Sequence, residues 1–355
     1  MMERVLVTGG NGFVAGWCVV ELLRRGYRVR ATVRGAGREA AMRAAIASQA
    51  GEAAHDRERL EVAVADLLSD DGWDAAMTGC RYVLHVASPL GAKTPKDLDA
   101  LLVPARDGTL RVLAAALRAG VERVVMTSAA AAARAERDGR VRIDETLWPD
   151  PAVRQDPYRA SKVAAERAAW QFMGERGATS RLTTVLPGAV FGPVLSRDGW
   201  GSVQVIQRML AGRPPAVPRL GFAVVDVRDL AVLHVAAMTS PAAAGQRFLA
   251  THEFLWMSDI ATHLRQALGA RAAKVPTRRM PDVVFRLLAL AMPPLRMLAA
   301  DLGRVHHPAA DKARRLLGFA PRPGVETVVD CARSLLATED PQWRGAPDAG
   351  ARTAP

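Results

Sequence analysis

Along the first half of the chain, short aliphatic runs alternate with longer stretches whose apolar residues recur at three- and four-residue spacing. The first rhythm is that of buried strands and the second that of amphipathic helices. The expected strands are Arg4–Thr8, Arg28–Arg34, Leu60–Val64, Tyr82–Ala87, Val121–Thr127 and Leu182–Leu186. The expected helices among them are Val14–Arg25, Arg38–Ala50, Leu98–Ala119 and Tyr158–Glu175. Such alternation predicts a parallel sheet with right-handed crossovers, and the β-branched character of Val121–Thr127 suits a strand covered on both faces. The polar stretch Arg134–Gln155 is too long for a plain connection and is expected to contribute to a site. After a Gly/Pro turn at Pro187–Pro193, the pattern predicts a helix at Ser202–Ala211, a strand at Ala223–Val227 and a helix at Leu230–Met238. It then turns irregular, with helices near Met257–Leu268, Asp282–Leu290 and Ala309–Leu317.

The chain is organised around Val5–Gly16, VLVTGGNGFVAG. Gly9 and Gly12, between a strand and a helix, have the spacing that lets backbone turn tightly and approach a pyrophosphate at the helix N-terminus. Ala15 holds the third position, small enough for close helix–strand packing, and Gly16 follows. A glycine cluster alone is a weak signal, but strand before and helix after are the context that supports nucleotide binding. Thr8, Gly9, Gly12, Phe13 and Val14 are therefore expected to meet the cofactor. The fold expected is α/β: a Rossmann-type doubly wound parallel sheet with a smaller, mainly helical C-terminal substrate lobe. Residues 1–186, with 222–250 returning, would form the nucleotide-binding domain; 187–221 and 251–337 the lobe; and 338–355, rich in Pro, Gly and Ala, a disordered tail.

Composition narrows this picture. The 355 residues are 50% hydrophobic but only 5% aromatic, which gives no stacking surface for single-stranded nucleic acid. The net charge of +12 comes from arginines scattered along the chain, as on a solvated surface, and no nucleic-acid partner is expected. Cys18, Cys80 and Cys331 are far apart and odd in number, supporting neither a disulfide framework nor a zinc site and fitting a reducing cytoplasm. No apolar run is long enough to span a bilayer. The nearest, Val283–Met297, carries Arg286, Arg296, Pro293 and Pro294 and reads as a broken amphipathic helix of the lobe, with membrane-surface docking as the alternative. His306 and His307 are adjacent but lack further ligands at workable spacing, so packing or surface roles are expected and no metal.

Two further features point to hydride chemistry. An acidic reader of the ribose hydroxyls would stand at the end of the second strand, where this chain has Arg34. A guanidinium suits a 2′-phosphate, so NADP (NADPH) is expected over NAD, the alternative being one more surface arginine. Tyr158 and Lys162, in YRASK, are four apart on an expected helix and share a face. A neighbouring ammonium stabilises a phenolate, so the pair can act as general acid in carbonyl reduction or as base in reverse.

With TGGNGF and YRASK on the page, the chain resembles the extended short-chain dehydrogenases/reductases. Within these it is similar to the dihydroflavonol 4-reductase and aldehyde reductase branch, through ATVRG around Arg34, Asp66-Leu67, HVASP at His85–Pro89, LPGAVFGP at Leu186–Pro193 and VVDVRDLA at Val224–Ala231. The resemblance implies that Asp66 and Leu67 flank the adenine, Ala87 and Ser88 line the cofactor cleft, Lys162 also holds the nicotinamide ribose, and Pro187 and Val190 border the nicotinamide. It implies NADPH-dependent reduction of a small carbonyl substrate to the alcohol, and it is consistent with a homodimer; the apolar segments Val203–Met209 and Phe285–Met297 suit an apolar or amphipathic substrate, the alternative being ordinary core. One departure concerns chemistry. The family's catalytic serine would follow Thr127-Ser128, where this chain has Ala129. Ser128 is the expected substitute, provided the backbone turns at the strand end; Thr127 has the right parity but lies deeper. A hydroxysteroid dehydrogenase/isomerase, a nucleotide-sugar epimerase/dehydratase and a non-catalytic NADP-binding module are the competing readings.

Overall fold

The computed structural model describes residues 2–88, 99–137, 140–150, 157–196, 201–306 and 310–338. The chain opens with β1 (Arg4–Val7), α1 (Phe13–Arg24), β2 (Arg28–Val33), α2 (Glu39–Ala50), β3 (Leu60–Val64) and α3 (Trp73–Met77). Next come β4 (Tyr82–His85), α4 (Asp99–Arg118), β5 (Arg123–Thr127), a hairpin of β6 (Arg134–Arg137) and β7 (Arg140–Ile143), α5 (Pro157–Glu175) and β8 (Leu182–Pro187). The second half contains β9 (Ala189–Phe191), α6 (Val203–Leu210), β10 (Gly221–Asp226), α7 (Val227–Thr239), β11 (Arg247–Ala250) and β12 (Phe254–Trp256). It closes with α8 (Met257–Leu268), α9 (Asp282–Ala291), α10 (Pro293–Ala299), α11 (Asp311–Leu317) and α12 (Gly324–Thr338).

Among the described residues, seven strands form one parallel sheet in the order β11-β8-β5-β4-β1-β2-β3. The chain winds outward from β1 to β3, then returns to β4 and winds the other way. The switch point therefore falls between β1 and β4, where open α/β sheets bind their ligands. Period-two alternation in β1 sends Val5 and Val7 into the core shared with α1 and α7, and Leu6 into the opposite core shared with α4 and α5. Both faces are covered, which is why the central strands are continuous apolar runs. Gly26, at φ +86°, supplies the left-handed turn that ends α1 and lets β2 begin two residues later.

A third core, including Phe191, Ile206, Met209, Ile260, Leu264 and Val328, holds the second lobe together beside a small β12-β10-β9 sheet. Of the returning segment 222–250, α7 and β11 join the main sheet and its helix layer, whereas β10 pairs with β9 and β12. The stretch Arg134–Gln155 is not a plain loop. It contains the β6–β7 hairpin, and 151–156 lie outside the described residues, as do Pro89, His307 and 339–355. Val283–Met297 is broken as expected: α9 ends at Ala291 and α10 starts at Pro293. No helix among the described residues is long and apolar enough to cross a membrane.

Candidate active site

The sequence-derived candidates line up along the carboxyl edge of the sheet in strand order. Asp66 and Leu67 follow β3, Arg34 follows β2, Thr8 and Gly9 follow β1, Ala87 and Ser88 follow β4, Ser128 and Ala129 follow β5, and Pro187 ends β8. With strands about 4.8 Å apart, these positions span roughly 24 Å along that edge.

Thr8 fixes the middle of this edge. Its buried hydroxyl accepts from the amides of Val86 (3.0 Å) and Ala87 (2.9 Å), so its proton is left for His85 Nδ1 at 3.0 Å. Nε2 of His85 must then carry the ring proton and donate to Thr109 Oγ1 (3.4 Å), which donates to the Ala105 carbonyl (2.9 Å). Burial, and then the Lys162 charge, push the imidazole pKa down to about 3. His85 is thus a neutral fixture that anchors the end of β4 to Thr8, at the start of the glycine turn.

Gly9 takes the left-handed conformation at φ +73°, and a Cβ there would stand 3.0 Å from Ala87 Cβ. Its amide donates to Thr32 Oγ1 (2.9 Å). Gly12 caps α1 with extended backbone, no side-chain cap and no acidic residue in the first turn. The helix N-terminus keeps amide donors and positive dipole for an anion. Phe13 and Val14 open the helix, half-buried against the core of the main sheet. Arg34 is exposed, and so is Arg38 one turn on; among the described residues neither side chain has a hydrogen-bond or ion-pair partner. An uncapped helix end under a glycine turn and two unengaged guanidiniums at the end of β2 fit a dinucleotide carrying a 2′-phosphate. Arg38 was signalled only by its place in ATVRGAGR.

Asp66 turns its carboxylate to the Leu68 amide (3.0 Å), while Leu67 is buried where Gly108 of α4 comes close enough that a Cβ there would meet Leu67 Cβ at 2.7 Å. At the other end Pro187 is buried, Val190 is half-buried, and Gly188 admits β10: a Cβ there would meet the Ala223 carbonyl oxygen at 2.2 Å.

Pro157 begins α5, and Tyr158 and Lys162 follow on one face, with Lys162 Nζ 6.0 Å from the Tyr158 ring centre. Tyr158 is 41% exposed and Lys162 only 6%. Burial lowers the lysine pKa to about 8, with Glu166 opposing the fall.

Ser128, expected to serve the reacting carbonyl, is 2% exposed, and its hydroxyl donates to Glu166 Oε2 at 2.5 Å. Thr127 faces the other way and donates to His234 Nε2 at 2.8 Å, since His234 Nδ1 gives its proton to the Leu230 carbonyl (2.8 Å). Strand parity persists through the end of β5, with Thr127 engaged by His234 of α7 and Ser128 by Glu166 of α5, and Ala129 follows in extended conformation.

Glu166 and Arg247 form a hub between α5 and the sheet. Glu166, fully buried, accepts from Ser128, Thr184 Oγ1 (2.8 Å) and Arg247 Nε (2.8 Å). Arg247 also donates to the carbonyls of Ala132 (2.9 Å), Glu145 (2.7 Å) and Leu147 (2.8 Å). One buried ion pair thus ties α5, β5, β8, β11 and the segment after β7. A second junction joins the lobes: Asp301 accepts from Arg134 (2.7 Å) and from Arg159 (2.6 Å), the neighbour of Tyr158. Burial alone would raise the Asp301 pKa, but His306 and the two arginines hold it well below the usual carboxylate range. His306 thus serves this junction, and among the described residues no group of three His, Cys, Asp or Glu is placed to hold a metal.

Comparison with known proteins agrees with this geometry. The chain is 32% identical over 293 residues to tetraketide alpha-pyrone reductase 1 of Arabidopsis thaliana, covering 80% of this chain and 86% of that one. It is 35% identical over 265 residues to cinnamoyl-CoA reductase 1 of Petunia hybrida, covering 73% and 75%. The crystal structure of yeast methylglyoxal/isovaleraldehyde reductase Gre2 complexed with NADPH superposes with a TM-score of 0.75 at 27% identity, covering 95% of this chain and 99% of that one. The model of the NAD dependent epimerase/dehydratase family matches residues 5–249, which is most of the sheet and the whole of the glycine turn and YRASK helix, and the chain belongs to that family.

Proposed function

We propose that the protein is an NADPH-dependent oxidoreductase that reduces an aldehyde or ketone to the alcohol. The observation that carries this reading is the Tyr158–Lys162 pair, an exposed phenol over a buried ammonium on one face of α5, in a sheet whose first strand runs into an uncapped glycine turn. The relatives named as reductases, and the NADPH in the yeast reductase structure, support it.

NADPH, when bound, supplies the hydride. Gly9, Gly12 and the start of α1 would hold its pyrophosphate, and Arg34 with Arg38 its 2′-phosphate. Tyr158 gives its phenolic proton to the carbonyl oxygen, and the Lys162 charge favours the phenolate left behind. Thr8 and His85 keep the end of β4 in place, and the Glu166–Arg247 hub keeps α5 in register with the strand ends. Ala129 provides no hydroxyl to the carbonyl oxygen. Loss of one such donor costs on the order of 3 kcal/mol, so the phenol carries the oxyanion alone and turnover is slow for this kind of site. Three buried, unbridged thiols suit a cytoplasmic location.

A non-catalytic NADP-binding module is the second reading, favoured by Ala129 and by the commitment of Ser128 to Glu166. Oxidation of NADPH and NADH with a panel of aldehydes and ketones, in wild type and Arg34→Ala, tests both. Carbonyl-dependent NADPH oxidation, with the NADPH preference reduced in the variant, is expected. Nucleotide binding without turnover on any carbonyl would leave the binding module, and an unchanged preference in Arg34→Ala would remove that residue from the phosphate site.

A further inference from the structure

Helix α9 turns its apolar residues outward. Val283, Leu287 and Leu290, on one face at helical spacing, are 68%, 61% and 70% exposed. Val284, Leu288 and Met292 flank them, also exposed, and Leu298 of α10 extends the patch. Only Phe285 and Ala289, one turn apart, are buried in the lobe. A helix packed on a core normally shows polar residues on its far side. Scattered exposed leucines need no explanation, but five exposed large apolar residues on one ten-residue helix mark an interaction surface.

The surroundings of the patch are cationic. Arg278 and Arg279 precede α9, Arg286 lies on it and Arg304 follows α10, all exposed. From residue 271 to 304 the acidic residues are Asp282 and Asp301 alone, and both are neutralised, by Arg219 and by the Arg134–Arg159 junction respectively. We propose that α9 and the adjoining part of α10 form a docking face that beds into the surface of a bilayer containing anionic lipid. Charge complementarity selects this occupant. A second copy would bring arginine against arginine on a chain of net charge +12. The C-terminal segment 339–355 has Trp343 as its one large apolar residue, too little to cover the patch. The ten residues of α9 extend about 15 Å, half the roughly 30 Å of a hydrocarbon core, so the helix lies in the interface plane and does not cross it. None of the residues involved belongs to the hydride-transfer site, so this face stands or falls independently of the reductase reading.

The test is co-sedimentation of the full chain with vesicles of phosphatidylcholine alone and of phosphatidylcholine mixed with phosphatidylglycerol. Wild type is expected to pellet with the mixed vesicles, less so as salt is raised. Leu287→Glu/Leu290→Glu is expected to weaken binding on the order of a hundredfold, and Arg278→Glu/Arg279→Glu at least about tenfold, both with unchanged circular dichroism and melting. Absence of binding to either vesicle overturns the proposal, as does equal binding by wild type and the leucine variant, which is charge adsorption by a basic protein. A wild-type dimer in analytical ultracentrifugation that the leucine variant turns into a monomer, without vesicle binding, assigns the patch to a second copy instead.

Discussion

Lys162 should lower the stability of the fold that it serves. Its side chain is 6% exposed, and burial moves its pKa from 10.5 to about 8 despite the nearby Glu166. At 1.36 kcal/mol per pH unit, that fall corresponds to about 3 kcal/mol. Between those two pH values the unfolded chain binds the proton and the folded chain does not, so stability rises with pH across the window. The penalty is complete below about pH 8 and gone above about pH 10.5. Lys162→Met keeps the volume and removes the charge, and is expected to stabilise the protein by up to about 3 kcal/mol at pH 7, with the advantage shrinking toward pH 10.5. The same variant is expected to be inactive. Urea denaturation of wild type and variant across this range, followed by tryptophan fluorescence, measures the effect. A variant less stable than wild type at pH 7 would refute the reasoning, because the ammonium would then be a net contributor to the fold.

Two further substitutions probe the glycine turn and the missing hydroxyl. Gly9→Ala forces a side chain into left-handed backbone, at a cost of about 1–2 kcal/mol, and against Ala87 at 3.0 Å. NADPH affinity, read by fluorescence titration, is expected to fall at least about tenfold, and unchanged affinity would argue that the turn does not hold the pyrophosphate. Ala129→Ser restores a donor at the end of β5 and is expected to raise kcat on a good carbonyl substrate by on the order of tenfold to a hundredfold; a flat response would mean that a different group already serves the oxygen.

What was legible in the sequence was local. The β1–turn–α1 unit needs only an apolar run, glycines and a helical period within one short stretch, and Tyr158 and Lys162 need only the helical repeat. Arg34 was marked by position, because residues at strand ends fall on the same edge of a parallel sheet. The hairpin β6–β7 was less visible, since its strands are short and rich in arginine, although the Asp138-Gly139 pair between them is a hairpin signal. The hub was invisible for a different reason: Glu166 and Arg247 are 81 residues apart, and no spacing announces a buried ion pair made by topology. That same hub engages Ser128. Parity in the sequence left its direction dependent on a backbone turn, and the partner its hydroxyl takes, a buried carboxylate on α5, is 38 residues away in the chain. The outward-facing apolar residues of α9 were equally beyond pattern reading, since period alone cannot say how much of an apolar helix finds a core.

The central claim is that Tyr158 delivers the proton in an NADPH-dependent reduction. The most direct measurement is the steady-state rate of carbonyl-dependent NADPH oxidation by Tyr158→Phe, alongside NADPH binding to the same protein. Near-complete loss of kcat, with binding close to wild type, is expected, because the phenyl ring keeps the bulk of the side chain and removes the proposed proton donor. Appreciable turnover by Tyr158→Phe would contradict the claim and move the proton donor elsewhere.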